Sequence, residues 1–232
     1  MATTLDFDDI FTAYYSQFRA DADIPASTDD EYTVAMRLAN EAINYWARYD
    51  GTYWRELFAT LQTASTGATT TITTGTKTYA APTAFAAAGG NVKILDSSNN
   101  TIETYPILEP NEVQFKGDND IYAYFTRAVT GLYTLHLNPA PTANLNGKSI
   151  DYVYYKTPTL FTTGADTTEM SNPYFIVHRM LANQFRASRN PYYSSAIKDA
   201  ESALRIMQLE NNAGNWANTP TMGDSSGTAW GA

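Results

Sequence analysis

The pair Asn172-Pro173 recurs as Asn190-Pro191, and this doubled helix-start signal constrains the fold more than any other feature of the chain. An Asn at the N-cap accepts a bond from the free N–H groups of a helix's first turn. A Pro at the next position costs nothing, because its missing N–H has no partner there. The two pairs divide Ser171 to Glu210 into two predicted helices. Tyr174, Val177, Leu181, Phe185 and Ser188 share a face of the first, with Met180 beside them. Tyr192, Ala196, Ala200, Leu204 and Met207 share a face of the second, where Ala203 narrows the stripe. Small residues along such a stripe let another helix approach closely. The spacing predicts a helical hairpin.

The first sixty residues carry the same period. Phe7, Ile10, Phe11, Tyr14 and Phe18 fall on one face of a predicted helix from Thr4 to Arg19. Asp6, Asp8 and Asp9 stand at its start, where the positive helix end favours them. A second helix is expected from Ser27 or Thr28, with Thr28-x-x-Glu31 as a capping box. Its stripe is Tyr32, Ala35, Met36, Ala39, Ile43 and Trp46, and Asp50-Gly51 ends it. Tyr53 to Phe58 reads as one further turn.

Between these helical ends the pattern changes. Ala59 to Gly90 is rich in Thr, Ala and Gly and reads as a linker merging into a sheet edge, with short strands at Thr70–Thr74 and Lys77–Ala80. Val92–Asp96 and Thr101–Leu108 flank the turn-rich Ser97-Ser-Asn-Asn100, and Ile121–Ala128 and Leu132–Asn138 flank Val129-Thr-Gly131. Both are predicted hairpins, and Ile150–Lys156 is a further strand. In the strands Ile121, Ala123 and Phe125 oppose Tyr122 and Tyr124, while Ile150, Tyr152 and Tyr154 oppose Val153 and Tyr155. Tyr-rich sheet faces suit contact with a second layer or a neighbour, so Tyr122, Tyr124, Tyr152 and Tyr154 are candidate contact residues.

The expected class is α+β. N-terminal (1–60) and C-terminal (171–210) helical hairpins form a helical bundle. An antiparallel β sandwich or barrel (61–170) is inserted between them, and an extended tail (211–232) follows. Asn211 to Asn215 is expected to stop the last helix. The tail is polar, yet it holds Trp216 and Trp230, two of the chain's 4 tryptophans, together with Met222. Trp is the residue most enriched at binding hot spots, so Trp216, Met222 and Trp230 are candidate docking residues. Fully extended, the tail reaches about 70 Å, well beyond a body with a radius of gyration of roughly 17 Å.

Charge and composition exclude several classes. The formal net charge of −9 opposes sequence-independent nucleic-acid binding, which needs Lys and Arg to displace counterions. The charge is uneven: residues 1–60 carry −7, whereas residues 171–210 carry +2. Without cysteine there is neither a disulfide framework nor a thiolate metal site. Met1 to Ile10 lacks the basic flank and apolar run of a signal peptide, and no run approaches the roughly 20 apolar residues of a membrane span. A soluble protein made in a cytosol-like compartment is expected.

No catalytic, cofactor-binding or metal-ligating set emerges. Gly223-Asp-Ser-Ser-Gly227 fits the nucleophile-elbow pattern, but no strand precedes it, and neither His136 nor His178 is tied to it. Asp118-Asn119-Asp120 begins like a calcium loop, yet Tyr122 stands where an oxygen ligand belongs and no bidentate Glu follows at the proper distance. Helix starts account for the paired carboxylates near residues 6–9 and 29–31. The chain reads as a non-enzyme without a cofactor.

Asp29 to Trp46, Tyr155-Lys-Thr-Pro-Thr-Leu160 leading to Asp166, and Asn172 to Met207 together carry a resemblance. Within the last stretch, Val177-His-Arg-Met-Leu-Ala-Asn-Gln-Phe185 and Asp199-Ala-Glu-Ser-Ala-Leu204 carry it most. In this layout the chain resembles the head-to-tail adaptor (connector) proteins of tailed bacteriophages, from which its large β insertion departs. The resemblance implies a virion protein at the head–tail junction, assembled in the host cytoplasm. It implies a homo-oligomeric ring of twelve copies around a channel through which DNA passes without specific binding. It further implies a C-terminal segment bound to the portal protein, and an opposite side that receives a distal tail or head-completion protein. Aromatic strand faces at Tyr122, Tyr124, Tyr152 and Tyr154 would then supply ring contacts. The alternative is a β-sandwich carbohydrate-binding module, stacking sugars on those tyrosines, or another virion binding module.

Overall fold

The computed structural model describes residues 5–19, 23–61 and 67–216. Among these residues the chain forms five α-helices and three small antiparallel sheets. It divides into two units. One joins the residues up to Thr52 to those from Leu160, and the other is the continuous span Tyr53–Thr159.

The first unit is helical. Helix α1 spans Phe7–Phe18 and is capped by Asp6, whose carboxylate accepts the Asp9 N–H at 2.9 Å. Its apolar face, Phe7, Ile10, Phe11, Tyr14 and Tyr15, is buried. Helix α2 spans Asp30–Ala47 and buries Tyr32, Ala35, Ala39, Ala42, Ile43 and Trp46. The expected Thr28–Glu31 capping box does not form. The N-cap is Asp29, whose side chain instead accepts the Ala26 N–H at 2.8 Å. Glu31 is drawn into tertiary contacts, accepting from the Tyr15 hydroxyl at 3.0 Å and pairing with Arg19 at 3.3 Å.

The next two long helices follow the two Asn-Pro pairs, but the expected Asn172 side-chain cap does not form: Pro173 is the N-cap, and Asn172 accepts the Phe175 N–H through its backbone carbonyl at 3.2 Å. The helix over Tyr174–Ala187 buries Phe175, Ile176, Val177, Met180, Leu181 and Ala182, and packs against α1, α2 and the final helix. At the second signal the Asn190 side chain accepts the Tyr192 N–H at 2.9 Å, the expected cap. The final helix then runs over Tyr193–Trp216. Asn211 does not stop it, so the expected extended tail from residue 211 is corrected. Asn211 is buried, at 3% exposure, and the helix continues through it. Low helix propensity yields to burial here.

The segment after Leu160 also belongs to this unit rather than to the β insertion. Phe161 is held by Asn40, whose amide donates to the Phe161 carbonyl at 2.9 Å and whose oxygen accepts the Phe161 N–H at 2.8 Å. Its ring joins Phe7, which also meets Phe11 and Tyr32. Two first-turn donors of α1, the N–H groups of Phe7 and Asp8, are satisfied by the carbonyls of Asp166 and Gly164 at 3.0 and 3.1 Å. A Cβ on Gly164 would meet the Asp8 carboxylate and force that side chain to swing aside.

The second unit holds the strands. They are β1 (Phe58–Thr60), β2 (Thr78–Ala80), β3 (Phe85–Ala88), β4 (Val92–Leu95), β5 (Thr101–Tyr105), β6 (Tyr122–Arg127), β7 (Tyr133–Asn138), β8 (Ser149–Asp151) and β9 (Val153–Lys156). A single helical turn, α3 (Pro110–Val113), lies between β5 and β6; the long helices above are then α4 and α5. The sheet orders are β1-β9-β3, β2-β7-β6 and β5-β4-β8, every pair antiparallel.

Three expectations change here. The strand expected over Ile150–Lys156 splits at Tyr152: β8 pairs with β4, and β9 pairs with both β1 and β3. Phe85–Ala88, read as linker, is a strand because β9 offers it a partner, although three alanines carry little strand signal. Thr70–Thr74 makes only a single bridge, Thr71 to Ser149. The core of this unit gathers Leu61, Ile72, Tyr79, Phe85, Val92, Ile94, Tyr105, Leu135, Leu137, Ile150, Tyr152 and Tyr154.

Candidate docking surface

The four tyrosines singled out from the strand pattern do not form one surface. Ile150, Tyr152 and Tyr154 share a face as expected, but that face is the core. Tyr152 is 2% exposed and Tyr154 1%, and both rings pack around Phe85. Burial pushes both phenols above their ordinary value, and for Tyr152 the neighbouring Tyr154 adds to the rise. Tyr122 is buried as well. Tyr124 is half-buried, and its ring is stacked on His136 at 4.5 Å and 8°. His136 also meets the Thr126 hydroxyl at 2.7 Å, and burial lowers its pKa from the ordinary histidine value. The surface role expected for Tyr152 and Tyr154 is therefore corrected. Of the four tyrosines only Tyr124 keeps partial access, and its ring already has a partner, so together they do not make a platform for sugar stacking.

Large exposed side chains lie elsewhere in the β unit. Phe115, Ile121, Val129 and Leu132 are exposed around the turns that flank β6. A cleft of about 470 Å³ opens between β3 and β6, with Phe85, Phe125 and Tyr133 on its apolar wall, Ala86, Ala87 and Ala88 along one side, and Ile107 at its end. Phe85 and Phe125 stack there at 4.4 Å.

Both strands bordering the cleft are sheet edges. In an antiparallel ladder alternate residues turn their N–H and C=O groups to the partner. The Ala123 N–H donates to Pro106 at 2.8 Å and its carbonyl accepts from Leu108 at 2.9 Å, whereas the Ala128 N–H donates to Leu132 on the β7 side at 2.8 Å. The outward residues of β6 are thus Ala123, Phe125 and Arg127. The chain partnering Ala123 then turns into α3, and no described residue pairs with the outer edge at Phe125 and Arg127. On β3 the Gly89 N–H donates to Val153 at 2.9 Å, so Ala87 and Gly89 face β9 while Ala88 faces outward; a bulge interrupts the register between Phe85 and Ala87. Sequence reading missed this edge. Its signal was Phe85-Ala-Ala-Ala-Gly-Gly90, a run whose small side chains leave backbone accessible.

The helical unit contributes the mount of the C-terminal segment. Trp216 is the last residue of α5. Met222, Trp230 and the Gly223–Gly227 pattern lie outside the described residues, so their expected roles stand on sequence alone.

Among the described residues no group of three or more His, Cys, Asp or Glu side chains is placed to hold a metal ion. The Asp118–Asp120 segment serves a different end: the carbonyls of Asp118 and Asp120 accept from the Asn138 amide at 3.0 and 2.8 Å. No described helix is long and apolar enough to cross a membrane. The candidate docking features are a cleft between strand edges, where Asn91 and Glu109 accompany the aromatic wall, and the segment that follows α5.

No curated protein matches the chain. A family described as SU10 adaptor protein matches residues 11–222, a span that takes in most of α1, all of α2, α4 and α5, the whole β unit and the first residues beyond α5. With this extent of match across both units, the chain belongs to the SU10 adaptor protein family.

Proposed function

We propose that the protein is a structural component of a phage virion, an adaptor ring that joins the portal to the tail at the head–tail junction and lines the DNA channel. The observation carrying this reading is the family match over residues 11–222. Several physical features support it. A net charge of −9 suits a channel wall along which DNA must slide without being held. Exposed apolar residues around β6, Phe115, Ile121, Val129 and Leu132, suit contacts between copies, together with the half-buried Tyr124. The homo-oligomer is a dodecamer in this reading, and its far side receives a distal tail or head-completion protein.

The residues beyond α5 dock on the portal, with Met222 and Trp230 as apolar anchors and Trp216 at the junction with the helix. Because α5 reaches Trp216 and Asn211 is buried, the informative deletion removes residues 217–232 and leaves the helix whole. Mixed with purified portal ring, the deleted protein should fail to co-sediment while keeping the circular-dichroism spectrum of the full chain. Co-sedimentation equal to that of the full chain would overturn the portal assignment.

A further inference from the structure

The cleft between β3 and β6 has the makings of a seat for an added strand. An extended peptide at a sheet edge gains main-chain hydrogen bonds from the edge and side-chain specificity from adjoining pockets. Here Phe125 presents unpaired N–H and C=O groups on one border, with Arg127 next along the same edge beyond the cleft lining, and Ala88 presents its own on the other border. The floor beside β3 consists of alanines, so a backbone can approach closely. Phe85, Phe125 and Tyr133 form an aromatic wall that would receive one large apolar side chain. Exposed edges of this kind are usually blunted or covered, and nothing among the described residues covers this one.

We infer that residues 217–232 of a second copy of this chain occupy the cleft as a strand added to the outer edge of β6. These sixteen residues lie beyond the described structure and span roughly 50 Å when extended, far enough to leave their own body. They consist mainly of Gly, Ala, Ser, Thr and Asn, which fit a narrow channel, and they carry Trp230 and Met222 as candidates for the aromatic wall. Their one charged side chain is Asp224, and the charged residue at the free end of β6 is Arg127, which is exposed beside the ring of Tyr133. The opposite signs suit each other at that end of β6, whereas the charged residue lining the cleft itself is Glu109. The inference rests on the ring and on the C-terminal segment as a docking element. It adds that, before the portal is met, the segment is held by a neighbouring copy, so portal docking requires its release.

The test places the photoreactive residue p-benzoylphenylalanine at Trp230 of the full chain. Unlabelled photoreactive protein is mixed with 15N-labelled unmodified protein and irradiated, and the cross-linked peptides are mapped by mass. Mixed-isotope cross-links from residue 230 to residues 85–91 or 125–133 are the expected result. A labelled acceptor carrying Ala86→Arg, a change at an exposed position of the cleft lining, should lose them while still showing the full chain's melting profile. Cross-links confined to one chain, cross-links to other segments, or cross-links unaffected by Ala86→Arg would each overturn the inference. Portal co-sedimentation is read separately. If deletion of 217–232 abolishes it while no cleft cross-link forms, the docking reading stands and the strand-addition seat falls; the reverse result removes the portal assignment instead.

Discussion

The helical unit and the β unit solve the same burial problem with different use of sequence distance. The helical unit is made from the two ends of the chain. Asn40 clamps the backbone at Phe161, and the carbonyls of Gly164 and Asp166 complete the first turn of α1. The β unit is one continuous span, yet its strands exchange partners within it: one stretch of chain serves two sheets by changing neighbours at Tyr152. Helices satisfy their own backbone and need tertiary partners only for a stripe of side chains. Strands need partners for the backbone itself, and any edge left over stays exposed. That difference explains why the open, unpaired cleft lies in the β unit.

The largest expected effects come from cutting one aromatic from each core. Phe7→Ala and Phe85→Ala each remove a buried ring, at 0% and 3% exposure, and each should cost about 3–5 kcal/mol. If the two units are separately stabilised, hydrogen exchange should accelerate in residues 5–52 and 160–216 for the first variant and in 53–159 for the second. Acceleration across both units with either change would show a single cooperative body.

A smaller effect sharpens the claim that the chain ends are tied to each other. Asn40→Ala leaves the N–H and C=O of Phe161 without their bonds, and the lost satisfaction should cost about 1–3 kcal/mol. The loss should register as a lower denaturation midpoint confined to helical probes. An unchanged midpoint would mean that the aromatic cluster of Phe7, Tyr32 and Phe161 suffices on its own.

The smallest effects concern pH, and they separate the units by range. In the β unit burial lowers the pKa of His136, so the neutral ring is favoured in the folded state. Its contribution is full above the unfolded histidine value of about 6.5 and is lost as pH falls through the lowered folded value. In the helical unit Asp166 is held at about 2 by the Thr162 N–H and hydroxyl and by the Thr163 N–H. Its contribution is full above the unfolded value of about 3.9 and is lost as pH falls toward 2. Mild acid should therefore weaken the β unit first. In His136→Asn that first step should vanish while the later one remains, as read by unit-resolved exchange across a pH series.

Legibility in the sequence follows the same division. The stripes of α1 and α2, the Ala196–Met207 stripe of α5 and the cap at Asn190 were readable because helical order is written at spacings of three and four residues, whereas in α4 Tyr174 and Ser188 are exposed and Phe175 and Ile176 are buried instead. The Thr28–Glu31 capping box was a local match whose Glu was claimed by Tyr15 and Arg19, and only the tertiary structure shows that. Both hairpins, β4–β5 and β6–β7, were readable from the turns between their strands. Of the candidate site, Trp216, Met222 and Trp230 were nameable from composition against context, and the strand tyrosines were nameable as a pattern. Which tyrosine face was core was not, because both faces of those strands are aromatic and hydrophobicity alone cannot orient them.

The sequence by itself determined a chain with helical ends, a β middle, no cysteine framework and a C-terminal segment marked by tryptophan. These are consequences of local periodicity and residue type, which need no partner to be expressed. The tertiary structure alone decided that Tyr152 and Tyr154 lie inside, that α5 runs on through Asn211, and that β3 and β6 border a cleft with unpaired edges. Each of those depends on which distant segment arrives as a neighbour. Strand pairing and burial are properties of pairs of segments, and no single stretch of sequence carries them.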